Sequence, residues 1–201
     1  MENMRKQLRA MKYYFITSTL VFIIGMLLGA GFSELFQGFI ESQLKGLEQL
    51  TQSIANQPNP QWSIFWLIFW NNIVKTLLII VLGVFFGILP LFFLLANGML
   101  LGYVGALSAQ KESLLYVIKA IIPHGIIEIP AIIIAAAFGL RLGVLMMKAM
   151  ATLISPARSN SYKEDLRGFG KAIIPIAIIL VIALTVAALI ESTFTYWLVK
   201  S

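Results

Sequence analysis

The chain has 201 residues, 59% hydrophobic and 12% charged, with a mean hydropathy of +0.89. Soluble domains are about half apolar and about a quarter charged, so this composition excludes an ordinary soluble domain. The formal charge of +6 does not point to nucleic acid, because the basic residues stand at the ends of apolar runs, and the absence of cysteine excludes disulfides, thiolate catalysis and cysteine-held metals.

A membrane-crossing helix needs about 20 apolar residues. The first such run is 13–32, preceded by Arg5, Lys6, Arg9 and Lys12. Its apolar core exceeds the signal-peptide range of about 7–15 residues, so it reads as a retained anchor. Residues 34–56 place Leu35, Phe36, Phe39, Ile40, Leu44, Leu47, Leu50 and Ile54 at helical spacing, which predicts an amphipathic helix on the outer face, ended by NQPNP. The second span is 62–87 and contains Asn71, Asn72 and Lys75; the third is 89–108, with Pro90 at its start and Asn97 inside it.

The fourth span lies within 113–140 and carries Pro123, His124, Gly125, Glu128 and Pro130. Taken as one straight rod it would be about 42 Å long, against a hydrocarbon core of about 30 Å. Two prolines remove two helical hydrogen bonds, so either a break near Pro123–Gly125 or a kink in one helix is expected. Residues 141–154 predict an inner interfacial helix, with Leu142, Leu145, Met146, Ala149 and Leu153 on one side and Arg141 and Lys148 at the headgroups. RSNSYKEDLRGFG, residues 158–170, reads as a polar loop, and the fifth span is 172–191 with Pro175 in its first turn. The runs are long and lack alternation, which excludes strands. The expected fold is an all-α integral membrane bundle, one membrane domain over 1–201. It has five transmembrane helices plus an outer and an inner interfacial amphipathic helix.

Charge orients this bundle. Arg141, Lys148, Arg158, Lys163, Arg167 and Lys171 lie between spans four and five, on the same side as the basic N-terminus. Glu34, Glu41 and Glu48 follow span one. The positive-inside rule then places the N-terminus in the cytoplasm and the C-terminus outside a multi-pass cell-membrane protein.

Ionisable groups inside a span are costly and usually face a partner within the bundle. Asn71 and Lys75 stand one helical turn apart, as do His124 and Glu128. If spans two and four touch, Lys75 meets Glu128 and Asn71 meets His124. The cluster of Asn71, Asn72, Lys75, Asn97, His124 and Glu128 reads either as a polar clamp between helices or as part of a solute or proton path. Four pairs of glycines have the spacing that lets helices approach closely: Gly25 and Gly29, Gly83 and Gly87, Gly98 and Gly102, Gly139 and Gly143. They predict tight packing within the protomer, a homodimer, or both. GMLLG occurs at 25–29 and again at 98–102.

The strings NN at 71–72, NGMLLG at 97–102, PHGIIEIPA at 123–131 and GLRLG at 139–143 resemble the stage II sporulation protein M family over roughly residues 66–145. The resemblance implies a polytopic membrane protein that, in sporulating bacteria, anchors peptidoglycan-degrading partners at the septum during engulfment. The sequence itself offers no Gly-rich phosphate loop, nucleophile motif or metal-ligand cluster. The expectation is a non-enzymatic scaffold in the lipid bilayer, without cofactor, metal or nucleic acid, that recruits an envelope hydrolase or another membrane protein. The rival expectation is a small-solute or ion permease, or the membrane half of a two-component transporter, with Lys75, His124 and Glu128 along its path.

Overall fold

The computed structural model describes residues 2–36, 38–42, 45–46, 49, 59–111, 114–154 and 159–200. Five long helices carry the architecture: α1 (Glu2–Gly31), α2 (Pro60–Val81), α3 (Ile88–Lys111), α4 (Leu114–Ile154) and α5 (Ser159–Lys200). Each contains a stretch long and apolar enough to cross a membrane: Ala10–Gly31, Gln61–Val84, Ile88–Gln110, Gly125–Ile154 and Asn160–Thr193. The all-α bundle of five spans agrees with the sequence reading.

Helix α2 starts where Pro60 supplies a preset φ at the first helical position. It ends in a 3-10 turn, Leu82–Val84, and the chain reverses through Phe86 at φ 55° and Gly87 at φ 79°. Three backbone bonds close the reversal: Phe85 N to Leu82 O, Gly87 N to Gly83 O, and Ile88 N to Phe85 O. A phenylalanine in left-handed conformation persists only where its surroundings fix it. Here the surroundings are Gly143 of α4, where an added methyl group would meet Gly87 N at 2.3 Å and the Phe86 carbonyl carbon at 2.4 Å.

Helix α4 is the centre of the bundle. It packs against the other four helices, and 56% of its span is buried, against 22–28% for the rest. Its run Ala135, Ala136, Ala137 and Phe138 is almost wholly enclosed. Small side chains there let several helices approach one rod, and the gain comes from close contact, since lipid tails are as apolar as leucine.

Two parallel helix pairs form the seams. In α1–α3 a methyl group on Gly25 would meet Leu95 O at 2.5 Å, and one on Gly98 would meet Phe22 O at 2.4 Å. One on Gly29 would meet Met99 O at 1.9 Å, and one on Gly102 would meet Met26 O at 2.0 Å. The shift that carries Gly25 onto Gly98 also carries Phe22 onto Leu95, Met26 onto Met99 and Gly29 onto Gly102. The two GMLLG strings therefore face each other with local twofold symmetry inside one chain. In α2–α4, Gly83 lies against Gly139 and Gly87 against Leu140 and Gly143. All four predicted glycine pairs are used within the protomer, so they make no demand for a second copy.

Four expectations change. The break near Pro123–Gly125 is absent, because α4 is helical without interruption from Leu114 to Ile154, through Pro123 and Pro130. Proline removes one hydrogen bond, and neighbours or small local adjustments re-satisfy the freed carbonyl inside a bundle. The inner interfacial helix at 141–154 is the continuation of α4 rather than a separate element. Residues 159–171 are the first turns of α5 instead of a loop, which puts Pro175 inside a helix. At 41 and 42 residues, α4 and α5 are each about 60 Å long, twice the hydrocarbon core, so they continue past it as a hairpin at the basic end.

The fourth change concerns the outer amphipathic helix. Residues 38–42 are helical, as expected, with Ile40 buried and the Phe39 ring 6.3 Å from that of Phe92 in an edge contact. Phe92 stands in the early turns of α3, well below the level of Gly31 at the end of α1. The segment thus folds back alongside α3 instead of lying across the bundle's end. Positions 43–44, 47–48 and 50–56 lie outside the described residues.

Candidate functional site

Asn72 stands midway along the span Gln61–Val84, which places it at mid-depth. Helices α2 and α4 run parallel, and Asn72 and Glu128 are 56 positions apart. The same offset relates Gly83 to Gly139 and Gly87 to Gly143, so one register holds from the polar contact to the turn. The Asn72 side-chain amide donates to Glu128 Oε1 in a very short contact. Asn71 Nδ2 lies 3.4 Å from Asn72 Oδ1 and can donate to it, extending the line by one amide.

This arrangement corrects the predicted pairing. The helices touch as expected, but the hydrogen bond to Glu128 comes from Asn72 rather than an ion pair with Lys75. Position 72 faces α4 in this register, and position 75 stands about 60° around the helix from it and most of a turn further along, at the edge of the contact. Lys75 remains within coulombic reach of Glu128, with its side chain exposed on the bundle surface. Glu128 is 4% exposed. Asn97 is separate from the cluster, since its Nδ2 donates to the carbonyl of Phe93 on its own helix at 2.7 Å. His124 and Pro123 belong to the α4 backbone, and their side chains lie outside the described residues, so the predicted contact of Asn71 with His124 lies there too. Gly125 and Pro130 are continuous helix.

The cluster's chemistry is that of a carboxylate held by an amide. An intramembrane polar contact of this kind contributes about 0.6 kcal/mol on average and at most about 1.7, enough to fix register and little else. Among the described residues no three histidine, aspartate or glutamate side chains gather as a metal site.

A second polar centre was given by the sequence reading to the headgroups and is instead enclosed. Arg141 is only 6% exposed, and its guanidinium lies 5.8 Å from the centre of the Phe169 ring. Phe138 packs on the same ring at 6.2 Å, and Tyr14 and Asp165 lie within coulombic reach of the guanidinium. In GLRLG the glycines at 139 and 143 form one face of α4, against α2 and its turn, and Arg141 between them serves the opposite face, against α5. The signal was legible as an arginine between two close-packing glycines. Two turns further along α4, Lys148 Nζ meets Asp165 Oδ2 at 2.5 Å and ties α4 to α5 at the basic end. Ser18 and Thr76 are also buried, with hydroxyls that have no partner among the described residues, and nothing in their spacing marks them.

The profile of the family described as Stage II sporulation protein M matches residues 6–196. Two proteins of Methanocaldococcus jannaschii, each named only as an uncharacterized protein, are similar to the chain. MJ0706 is 30% identical over 131 residues, 65% of this chain and 56% of its own length. MJ0793 is 30% identical over 139 residues, 69% of this chain and 74% of its own length. The chain therefore spans little more than half of the first relative. No solved structure matches it. A match over nearly the whole chain, with a five-span bundle beneath it, makes the protein a member of the stage II sporulation protein M family.

Proposed function

We propose that the protein is a non-enzymatic membrane scaffold that anchors cell-envelope partners, a peptidoglycan hydrolase among them. The observation that carries this reading is the enclosure of the polar site. Glu128 is 4% exposed, bound by Asn72, and set in a parallel pair whose backbones touch at Gly83 and Gly139. A carboxylate sealed into a rigid seam suits a bundle that keeps one shape. Family membership supports the same reading. In it the N-terminus is cytoplasmic and the C-terminus outside, because the basic residues of α1 and of the α4–α5 hairpin then share the inner side.

Purification of the intact chain from its native membrane, with the accompanying proteins identified, tests the proposal. An envelope hydrolase retained in fixed proportion supports it. A chain that purifies alone, moves a small solute across reconstituted vesicles and loses that flux in Glu128→Gln overturns it in favour of a permease.

A further inference from the structure

The lipid-facing side of α5 changes chemistry toward its basic end. Ile174, Ile178 and Ile182 are exposed on it, one helical turn apart. The same stripe continues through Lys171, Arg167 and Lys163, which are also exposed and also one turn apart. All six lie within about 100° of arc on one side of the helix. Phe169 and Asp165, on the opposite side, face α4. Among the described residues Glu164 is the one carboxylate on the stripe, so three cations stand against one anion. Gly170 flanks them with nothing within 4 Å of an added carbon, which leaves room for a neighbour close to the helix.

Depth and charge select the occupant. Glu128 is bound by the mid-depth Asn72, and Lys148 stands about 30 Å further along α4. Asp165 meets Lys148, and Lys171 lies about 9 Å back along α5, so it sits about 21 Å from the middle of the membrane. The headgroup layer lies between about 15 and 22 Å from the middle. Arg167 is about 6 Å beyond Lys171, within reach of a long side chain. On the other side of Lys171, Ile174 to Ile182 run about 12 Å, close to the roughly 15 Å of hydrocarbon in one leaflet. Topology asks only that cations gather on one side of the membrane. It does not ask that they share one face of one helix with a lipid-facing apolar stripe. A molecule with an anionic head and an apolar tail meets both halves of that face at their own depths.

We propose that this side of α5 holds an anionic phospholipid. Lys171 and Arg167 take the headgroup phosphate, Lys163 adds positive charge from the water side, and an acyl chain lies along Ile174, Ile178 and Ile182. The inference goes beyond the scaffold reading and stands or falls without it.

The chain has no cysteine, so Ile178→Cys takes a single fluorescent probe beside the stripe. Val81→Cys is the control, exposed on α2 with no basic residue between it and the turn. Each labelled full-length chain is placed in vesicles containing brominated phosphatidylglycerol or brominated phosphatidylcholine with the same acyl chains, and quenching is measured. At 178 phosphatidylglycerol should be favoured about five- to thirtyfold, and at 81 by no more than about twofold. Lys171→Gln should lower the preference at 178 about fivefold, and Lys171→Arg should keep it. Quenching by phosphatidylcholine should stay the same in both variants, which separates lipid recognition from misfolding. Inorganic phosphate should leave the preference where sodium chloride of equal ionic strength leaves it. Equal quenching by the two lipids at 178, or an equal preference at 178 and 81, overturns the inference. So does an unchanged preference in Lys171→Gln or its loss in Lys171→Arg. Displacement by inorganic phosphate assigns the cations to a soluble anion and overturns it as well.

Discussion

In the α1–α3 pair, two copies of GMLLG meet backbone to backbone, and symmetry makes each contact occur twice. In the α2–α4 pair, the glycines sit toward the turn, and Asn72 and Glu128 meet at the centre of the span. Both pairs lie within apolar spans, and lipid tails are as apolar as leucine, so close contact and polar bonding rather than the hydrophobic effect must hold each pair together. A glycine seam supplies contact but little register, because neighbouring turns of such helices look alike. A hydrogen bond between an amide and a carboxylate exists at one register only, and a slip of one turn, about 5.4 Å, would break it. The first pair shows how near two helices can come, and the second how a chain chooses where along their length they do so.

The largest effect is expected at the glycines. Alanine at Gly29 or Gly102 meets backbone at 1.9 or 2.0 Å, and at Gly83 it meets Gly139 O at 2.2 Å, where no rotamer change relieves the clash. Each should cost about 3 kcal/mol or more, read as a fall in the unfolding midpoint of the detergent-solubilised chain. Local symmetry adds a sharper requirement: Gly29→Ala and Gly102→Ala should agree within about 0.5 kcal/mol. Gly170→Ala, with nothing within 4 Å of the new carbon, should leave stability unchanged or raise it by up to about 1 kcal/mol. Unequal costs at positions 29 and 102 would break the symmetric description of α1–α3.

At the polar clamp the scale is smaller. Asn72→Leu removes an amide donor from an enclosed carboxylate without removing side-chain volume and should cost about 1–2 kcal/mol. Combining it with Glu128→Leu should cost less than the sum of the two single changes, because the pair no longer buries a carboxylate without its amide. Strict additivity in that cycle would mean that the contact sets no register.

How much of this was legible in the sequence follows the same division. Apolar length gave the five spans, and glycine spacing gave both seams, since each depends on local pattern alone. The partner of Glu128 was misassigned by three residues, because helical periodicity says which residues share a face but not which face turns toward a neighbour. Asn72 rather than Lys75 faces α4 because the register is set at Gly83 and Gly139, far along the chain from the site it positions. The continuity of α4 and α5 was hidden for another reason. Polar composition at 159–171 reads as a loop in isolation, yet packing of Phe169 on Phe138 and Arg141 supports it as helix.

Arg141 tests that last point. Arg141→Lys keeps the charge and loses the planar group over Phe169, at a cost of about 1 kcal/mol, measured as a shift in the unfolding midpoint. Arg141→Leu in a Phe169→Leu background should cost less than it does alone, because the ring that received the guanidinium is gone. Equal costs in both backgrounds would assign the effect to a contact other than this ring.

The smallest effect belongs to Lys148 and Asp165, beyond the point where the seams end. The pair is short, at 2.5 Å, but its side chains are 50% and 40% exposed, so water and salt compete with it. Exposed ion pairs contribute about 0–1 kcal/mol, and Lys148→Gln should leave the global midpoint nearly untouched. Its effect should instead be local. The basic end of the α4–α5 hairpin is held by Phe169 at its base and by this pair further out, so loss of the pair should speed amide hydrogen exchange in residues 159–168 while exchange in α2 stays as it was. Raising ionic strength to about 1 M, where the screening length is about 3 Å, should bring the unmodified chain toward the same exchange pattern. Unchanged exchange in the hairpin would show that Phe169 alone holds it closed, and faster exchange in α2 would show that the basic end is coupled to the polar clamp through α4.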